Sequence, residues 1–281
     1  MTTQNALLAG RWKPSTLMVR ILSAFVILGI VIGLALAGTA GADVLVFILA
    51  SLALWEFIGL SERMGYRAPS WLLFPLGYFL AYSGTLLKQV DVTLVLGIAV
   101  VGGLTAFLVV PGRRQGVGRW AMGMAGALYI GIPFNFYLLL YTAPHNGLAW
   151  ALFTIFAVVA CDAAALLVGS RIGRRPFFRS ISPRKTVEGA VAGVAGAIVV
   201  MVIGVTFVLG LSLLHAIALG LLVGISAQAG DLVESQMKRI AEVKDSSNLI
   251  PGHGGALDRL DSILFPPILV FLYAMTFHFL K

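Results

Sequence analysis

Apolar runs close to 20 residues long recur along most of this 281-residue chain, separated by short basic or Gly/Pro-containing breaks. At 1.5 Å per residue, about 20 helical residues cross the roughly 30 Å hydrocarbon core of a bilayer. With 59% hydrophobic and only 11% charged residues, the chain has too little polar surface to cover a soluble globule. The runs predict an all-α, polytopic integral membrane protein of about nine transmembrane helices. They fall near residues 18–37, 43–60, 71–87, 92–110, 120–141, 148–170, 189–210, 212–230 and 256–280.

Lys and Arg resist translocation, so their distribution predicts orientation. A cytoplasmic N-terminus places 18 of the 20 basic residues in alternate, cytoplasmic loops and leaves only Lys88 and Lys281 outside, which also makes the C-terminus external. The net charge of +8 then belongs to loops facing an anionic leaflet. No basic-plus-aromatic module points to nucleic acid. Cys161 is the single cysteine, which rules out an intrachain disulfide and a cysteine-based metal site. The first run has upstream Arg and Ala35-Leu36-Ala37 near its end, as a signal peptide does, but its apolar core is long enough to expect a retained helix. No repeat or long hydrophilic run divides the chain. Residues 1–281 read as one membrane domain, with 1–147 mainly scaffold and 148–281 carrying the polar chemistry.

Ten of the 32 charged residues fall between Gly230 and Ser262. So polar a stretch in so apolar a chain needs water, metal or a charged ligand to face. Residues 231–245 suit an amphipathic helix, with Val233, Met237 and Ile240 on one stripe and Asp231, Glu234, Lys238 and Asp245 on another. Glu234 and Glu242 read as solvated, with Glu234 and Lys238 as an i,i+4 surface pair. Asp231 follows Gly230 at the end of a span, where a second backbone or a ligand can approach. Pro251-Gly252-His253-Gly254-Gly255 is a turn able to expose backbone N–H groups to phosphate, though a plain connector has the same composition. Asp258 and Asp261, three apart, share a helix face.

Asp231, Asp258 and Asp261 form an all-oxygen donor set of the kind Mg²⁺ prefers, and Lys238, Arg239, Lys244 and Arg259 interleave with them. Carboxylates, cations and a glycine turn together suit phosphoryl transfer. The other long polar segment runs Gly173-Arg174-Arg175-Pro176 through Ser182-Pro183-Arg184-Lys185-Thr186-Val187-Glu188-Gly189. Its arginines serve equally as anchors, whereas Lys185, Thr186 and Glu188 add chemistry that anchoring does not need. Asp162 lies nine residues before Arg171, about 13 Å into its span. It is a functional candidate, or else the partner of an Arg from the basic segment. Glu56 poses the same question nearer the surface.

Ser235-x-x-Lys238-Arg239, then Lys244-Asp245, then Pro251-x-His253-Gly254-Gly255-x-x-Asp258-Arg259-x-Asp261 resembles the signature of the bacterial phosphatidate cytidylyltransferases, or CDP-diglyceride synthetases. The resemblance extends to Gly230-Asp231-Leu232-x-Glu234-Ser235 and to Ser182-Pro183-x-Lys185-Thr186-x-Glu188-Gly189. In the N-terminal half it is one of hydrophobic character only. Arg184 stands where the family usually has Lys, Ala256 replaces a larger apolar residue, and alanines follow Asp162 where a hydroxyl or small residue and then an aromatic are usual.

The resemblance implies CTP and phosphatidic acid reacting to CDP-diacylglycerol and pyrophosphate, with Mg²⁺, alone or with a second metal ion, at the cell inner membrane. It also implies a homodimer. The expected roles follow: Asp231 and Asp258 bind metal with Asp261 beside them; Lys238, Arg239, Lys244 and Arg259 hold phosphates; Ser182, Lys185, Thr186 and Glu188 shape the nucleotide side. Ser235, His253, Gly254, Gly255 and Asp162 complete the substrate-facing set. His253 is not expected to act as a base, because an ionised phosphate nucleophile needs none. A CTP-dependent enzyme on another lipid phosphate, a polyprenol-type lipid kinase, and a secondary transporter with intramembrane acids are the alternatives.

Overall fold

The computed structural model describes residues 29–109, 113–247, 249 and 254–280. Past a helical stretch at 29–36, the order is α1 (Gly38–Arg63), α2 (Ser70–Tyr82), α3 (Val92–Val109), α4 (Arg113–Tyr141), α5 (Gly147–Ile172), β1 (Pro176–Phe178), β2 (Ser182–Thr186), α6 (Val187–Met201), α7 (Leu213–Ile240), α8 (Leu257–Leu260) and α9 (Pro266–Thr276). A π-helical stretch, Val202–Val208, continues α6. Five helical segments are long and apolar enough to cross a membrane: α1, the 115–141 part of α4, α5, α6 with its π extension, and α7. The protein is thus a helical, membrane-type chain. The shorter apolar helices are α2, α9 and most of α3.

Three sequence expectations change, those for the last run, the helix from Asp231 and the basic segment. The first predicted run lies largely outside the described residues. The last, 256–280, is not one helix: α8 ends at Leu260 and α9 restarts at Pro266-Pro267. Proline has no N–H to donate and its ring displaces the preceding turn, so an adjacent pair favours a helix start, although single prolines, Pro75 and Pro133, lie inside α2 and α4. The predicted interfacial helix from Asp231 is instead the continuation of α7, whose 28 residues extend about 42 Å and so exceed the hydrocarbon thickness. Nothing between Ser226 and Ile240 breaks the helix, because Gly230 is tolerated there at a cost of about 1 kcal/mol.

The basic segment, predicted as loop, forms an antiparallel hairpin with Pro176 opposite Thr186 and Phe178 opposite Ser182. It is the sheet among the described residues. One apolar cluster gathers Leu54 and Phe57 of α1, Leu73 and Leu76 of α2, and Ile130 and Leu138 of α4, and it takes in Leu257, Leu260 and Leu264. A second joins Val158 of α5, Met201 of α6, Leu219 and Val223 of α7, and Val270 of α9. Helices α5 and α6 pack at backbone distance: a Cβ on Gly196 would stand 2.8 Å from the Ala160 carbonyl oxygen, the small-residue packing usual between membrane helices. The polar residues of the C-terminal stretch lie where α7 and α8 connect these two clusters.

Candidate active site

Spacing along α7 places Asp231, Glu234, Ser235 and Lys238 on one helix face, and each finds a different partner. A Cβ at Gly230 would come within 2.3 Å of the Asp261 carbonyl oxygen, so only glycine admits this approach of two backbones. Asp261 is thereby drawn beside α7. Burial, reinforced by the nearby Asp231 charge, pushes its carboxyl up to about 7, because two carboxylates in a low-dielectric site disfavour joint ionisation. Ser235 Oγ donates to Asp231 Oδ1 at 3.2 Å. Lys185 Nζ, from β2, donates to Asp231 Oδ2 and forms an ion pair with it. The two polar segments that the sequence separates therefore meet at Asp231.

Four further bonds hold the hairpin in place. Arg239 Nε donates to the Ile181 carbonyl at 3.0 Å. Thr186 is the N-cap of α6, accepting from Gly189 N at 3.2 Å, as a threonine at that position does. Glu188 accepts from the backbone N–H groups of Arg174 and Arg175 at 3.0 and 3.3 Å. Thr186 and Glu188 shape the hairpin that presents Lys185. Ser182 is half-buried in β2 opposite Phe178, and Lys244 is exposed.

One turn beyond Asp231, the expected surface pair is buried. Glu234 is fully inaccessible and ion-paired with Lys238, whose Nζ also donates to Asp258 Oδ1 at 2.7 Å. Glu234 and Lys238, whose spacing suits a solvated face, are buried beside Asp258 of α8 and the apolar cluster that receives Leu257 and Leu260, while Asp231 stays part-exposed and Asp245 exposed. Asp258 in turn gathers the loop after α7. It accepts from Ser246 N at 2.9 Å, Ser246 Oγ at 3.0 Å and Gly255 N at 2.8 Å. Burial alone would raise its carboxyl, but the Lys238, Gly255 and Ser246 donors outweigh it and hold Asp258 below the ordinary carboxylate range. The Gly255 N–H, expected to face a phosphate, is engaged by Asp258. Gly254 is half-buried with φ +84. Gly252 and His253 lie outside the described residues.

Asp162 of α5 accepts from Ser262 Oγ at 2.8 Å and lies within electrostatic reach of Asp231, Lys185 and Arg259. Its hydrogen-bond partner is thus a serine beside Asp261. Arg259 is exposed on α8. Glu56 of α1, the weaker candidate by sequence, is 2% exposed and accepts from Ser246, Ser247, Ala256 and Leu257. It reaches across the expected division at residue 147. A single acid in the apolar run Ala53-Leu54-Trp55-Glu56-Phe57 is the sequence signal for it.

Among the described residues, no group of three or more His, Cys, Asp or Glu side chains converges as a ready-made metal cage. Mg²⁺ commonly takes only one or two protein carboxylates and completes its octahedron with water and substrate phosphates. Asp231 and Asp261, two carboxylates whose charges oppose one another, fit that requirement. Asp258 fits it less well: its oxygens accept from Lys238, Ser246 and Gly255, whereas Asp231 has one donor on each oxygen, Ser235 and the exchangeable Lys185.

The fold and this site define a helical membrane protein that carries a charged, carboxylate-and-lysine centre on extensions of its apolar helices. A model of the cytidylyltransferase family matches residues 18–278, and the chain belongs to that family. It is 38% identical over 151 residues to a phosphatidate cytidylyltransferase of Bacillus subtilis (strain 168), covering 53% of this chain and 56% of the relative. To that of Synechocystis it is 40% identical over 162 residues, 56% of this chain and 55% of the relative. To phosphatidate cytidylyltransferase 4, chloroplastic, of Arabidopsis thaliana it is 41% identical over 171 residues, 60% of this chain and 40% of the relative. The chain thus spans about half the length of the curated relatives it matches.

Proposed function

We propose that this protein transfers CMP from CTP to phosphatidic acid, giving CDP-diacylglycerol and pyrophosphate. The observation that carries the reading is the meeting of Lys185 with Asp231 beside Asp261, in a chain of the cytidylyltransferase family. A phosphate oxygen of the lipid attacks the α-phosphorus of CTP. The new P–O bond forms as the bond to the β-phosphate oxygen breaks, and pyrophosphate departs with the electron pair. The nucleophile is already an anion at neutral pH, so the site supplies charge compensation and alignment in place of a base.

Asp231 and Asp261 would hold Mg²⁺, with Asp162 behind them; the ion would neutralise the phosphates. Lys185, half-exposed at 29%, is placed to exchange its carboxylate contact for a nucleotide phosphate. Arg259, Arg239 and Lys244 line the approach for further phosphate oxygens. Lys238 and Asp258 set the frame, and Ser235 orients Asp231. His253 is assigned to phosphate contact or to the shape of its turn.

The one-sided distribution of 18 of 20 basic residues supports nine crossings with a cytoplasmic N-terminus, an external C-terminus and a site facing the cytoplasm of the cell inner membrane. CTP is available on that side. The test is an assay of the purified chain in detergent with CTP and phosphatidate, with and without Mg²⁺. CDP-diacylglycerol and pyrophosphate should form together only when metal is present. Absence of pyrophosphate release would overturn the reading and favour a transporter, which needs a gradient that detergent abolishes.

A further inference from the structure

Glu56 lies in α1, 2% exposed, and both its oxygens are turned toward a loop about 200 residues later in the chain. Oε1 accepts from Ser247 Oγ at 2.6 Å and Ala256 N at 2.8 Å. Oε2 accepts from Ser246 Oγ at 2.9 Å and Leu257 N at 2.7 Å. All four partners are donors, which suits an acceptor-only carboxylate. The fit is close: a Cβ on Gly255 would stand 2.5 Å from Glu56 and 2.1 Å from Ser246 Oγ.

Ser246 Oγ also lies 3.0 Å from Asp258 Oδ2. It has one proton, so the hydroxyl joins two carboxylates and donates to one at a time. A continuous polar path therefore runs from Glu56 through Ser246 to Asp258, then through Lys238 to Glu234 on α7. Its members come from α1, Ser246 after α7, α8 and α7 itself. Without Glu56, the Ala256 and Leu257 N–H groups that open α8 lose their acceptor in a buried place.

We infer that Glu56 is a positioning residue of the candidate site, fixing Ser246, Ser247, Ala256 and Leu257 so that Asp258, and through it Lys238, stand in register with α7. Glutamine is a poor substitute despite its shape. Its NH₂ would face a backbone N–H on whichever side it took, and a backbone N–H cannot reverse its role as the serines can. A role as proton carrier is disfavoured by the same geometry, because each oxygen already accepts two bonds.

The activity arm of the test rests on the proposed cytidylyl transfer, whereas the placement arm does not. Glu56→Gln, Ser246→Ala and the double variant are compared with the parent as full chains in detergent, by hydrogen exchange and by turnover of CTP with phosphatidate. Glu56→Gln should raise exchange at Ala256 and Leu257 by about tenfold or more while α5 and α6 keep parental protection. It should lower kcat by about tenfold and move KM for CTP by less than about threefold.

Ser246→Ala should lower kcat by about three- to tenfold, and the double variant should fall no further than about twofold below Glu56→Gln, because both changes cut one path. Parental exchange at Ala256 and Leu257, or parental kcat in Glu56→Gln, overturns the inference. So do fully multiplicative effects in the double variant. If Glu56→Gln does not fold, Ser246→Ala decides by the same two readouts. A parent that exchanges normally but turns over no CTP refutes the functional reading alone, and the exchange arm still decides the placement of Glu56.

Discussion

Lys185 of the basic hairpin is ion-paired with Asp231 of α7, 46 residues further along the chain. The pair joins the two polar segments into one site, and it is half-open to solvent, with side chains 29% and 25% exposed. An exposed pair contributes at most about 1 kcal/mol to stability. Under the proposed function its value lies in placing charge where phosphates would arrive.

Lys185→Met should cut CTP turnover by about 100-fold or more, the usual loss when a preorganised charge is removed from a reacting phosphate or oxyanion. The unfolding midpoint in detergent should move little. Activity assays and thermal unfolding on the same preparation check both halves, and a destabilised but fully active variant would reverse the assignment.

Lys238 stands apart because it is 13% exposed and serves two acids, one of them fully buried. Lys238→Met should destabilise the chain by about 3–5 kcal/mol, since Glu234 would be left buried without its partner, costly whether it stays charged or takes up a proton. Adding Glu234→Gln should recover a large part of that loss, which denaturant unfolding of the single and double variants measures.

Asp258 and Asp261 should separate in their response to Mg²⁺. Asp261→Asn is expected to raise the metal concentration for half-maximal activity by about tenfold or more, as loss of a ligand or its immediate support does. Asp258→Asn should lower kcat without that shift, because the lost bonds hold Ser246, Gly255 and Lys238. A Mg²⁺ titration of each variant decides, and an equal shift in both would return Asp258 to the ligand set.

Gly230→Ala tests the approach of α7 to Asp261. The added methyl would meet a backbone oxygen at 2.3 Å, an atom with no rotamer to yield. The expected result is a loss of about 1–3 kcal/mol, typical of overpacking, together with a larger proportional loss of activity as Asp231 and Asp261 move apart. Unfolding and turnover measured side by side would show the difference.

Helical membrane character, the polar stretch from Gly230 to Ser262 and the signature residues within it are legible in the amino-acid sequence, because run length, charge density and fixed spacing are properties of neighbours along the chain. The proline pair at 266–267 is equally legible as a helix start, although hydropathy alone carries one apolar run straight through it. Asp231 and Lys185 are readable as candidates from residue type and position. The contact between the two is not.

Other features lie beyond local pattern. Glu234 and Lys238 have the spacing of a surface pair, and helical periodicity is the same whether a polar stripe meets water or another helix. Packing of this end of α7 against Asp258 and the apolar cluster buries the pair. Asp258 has the spacing of a metal ligand, yet its oxygens are taken by donors from a loop and from α7. Glu56 finds its partners 190 to 201 residues away, a pairing no window along the chain can contain. Apolar run length and charge settle that this chain enters a membrane as helices, since each residue's transfer energy is its own. Which acids face lysine, serine or one another was decided by how two apolar clusters pack, because a hydrogen bond reports position in space and not order along the chain.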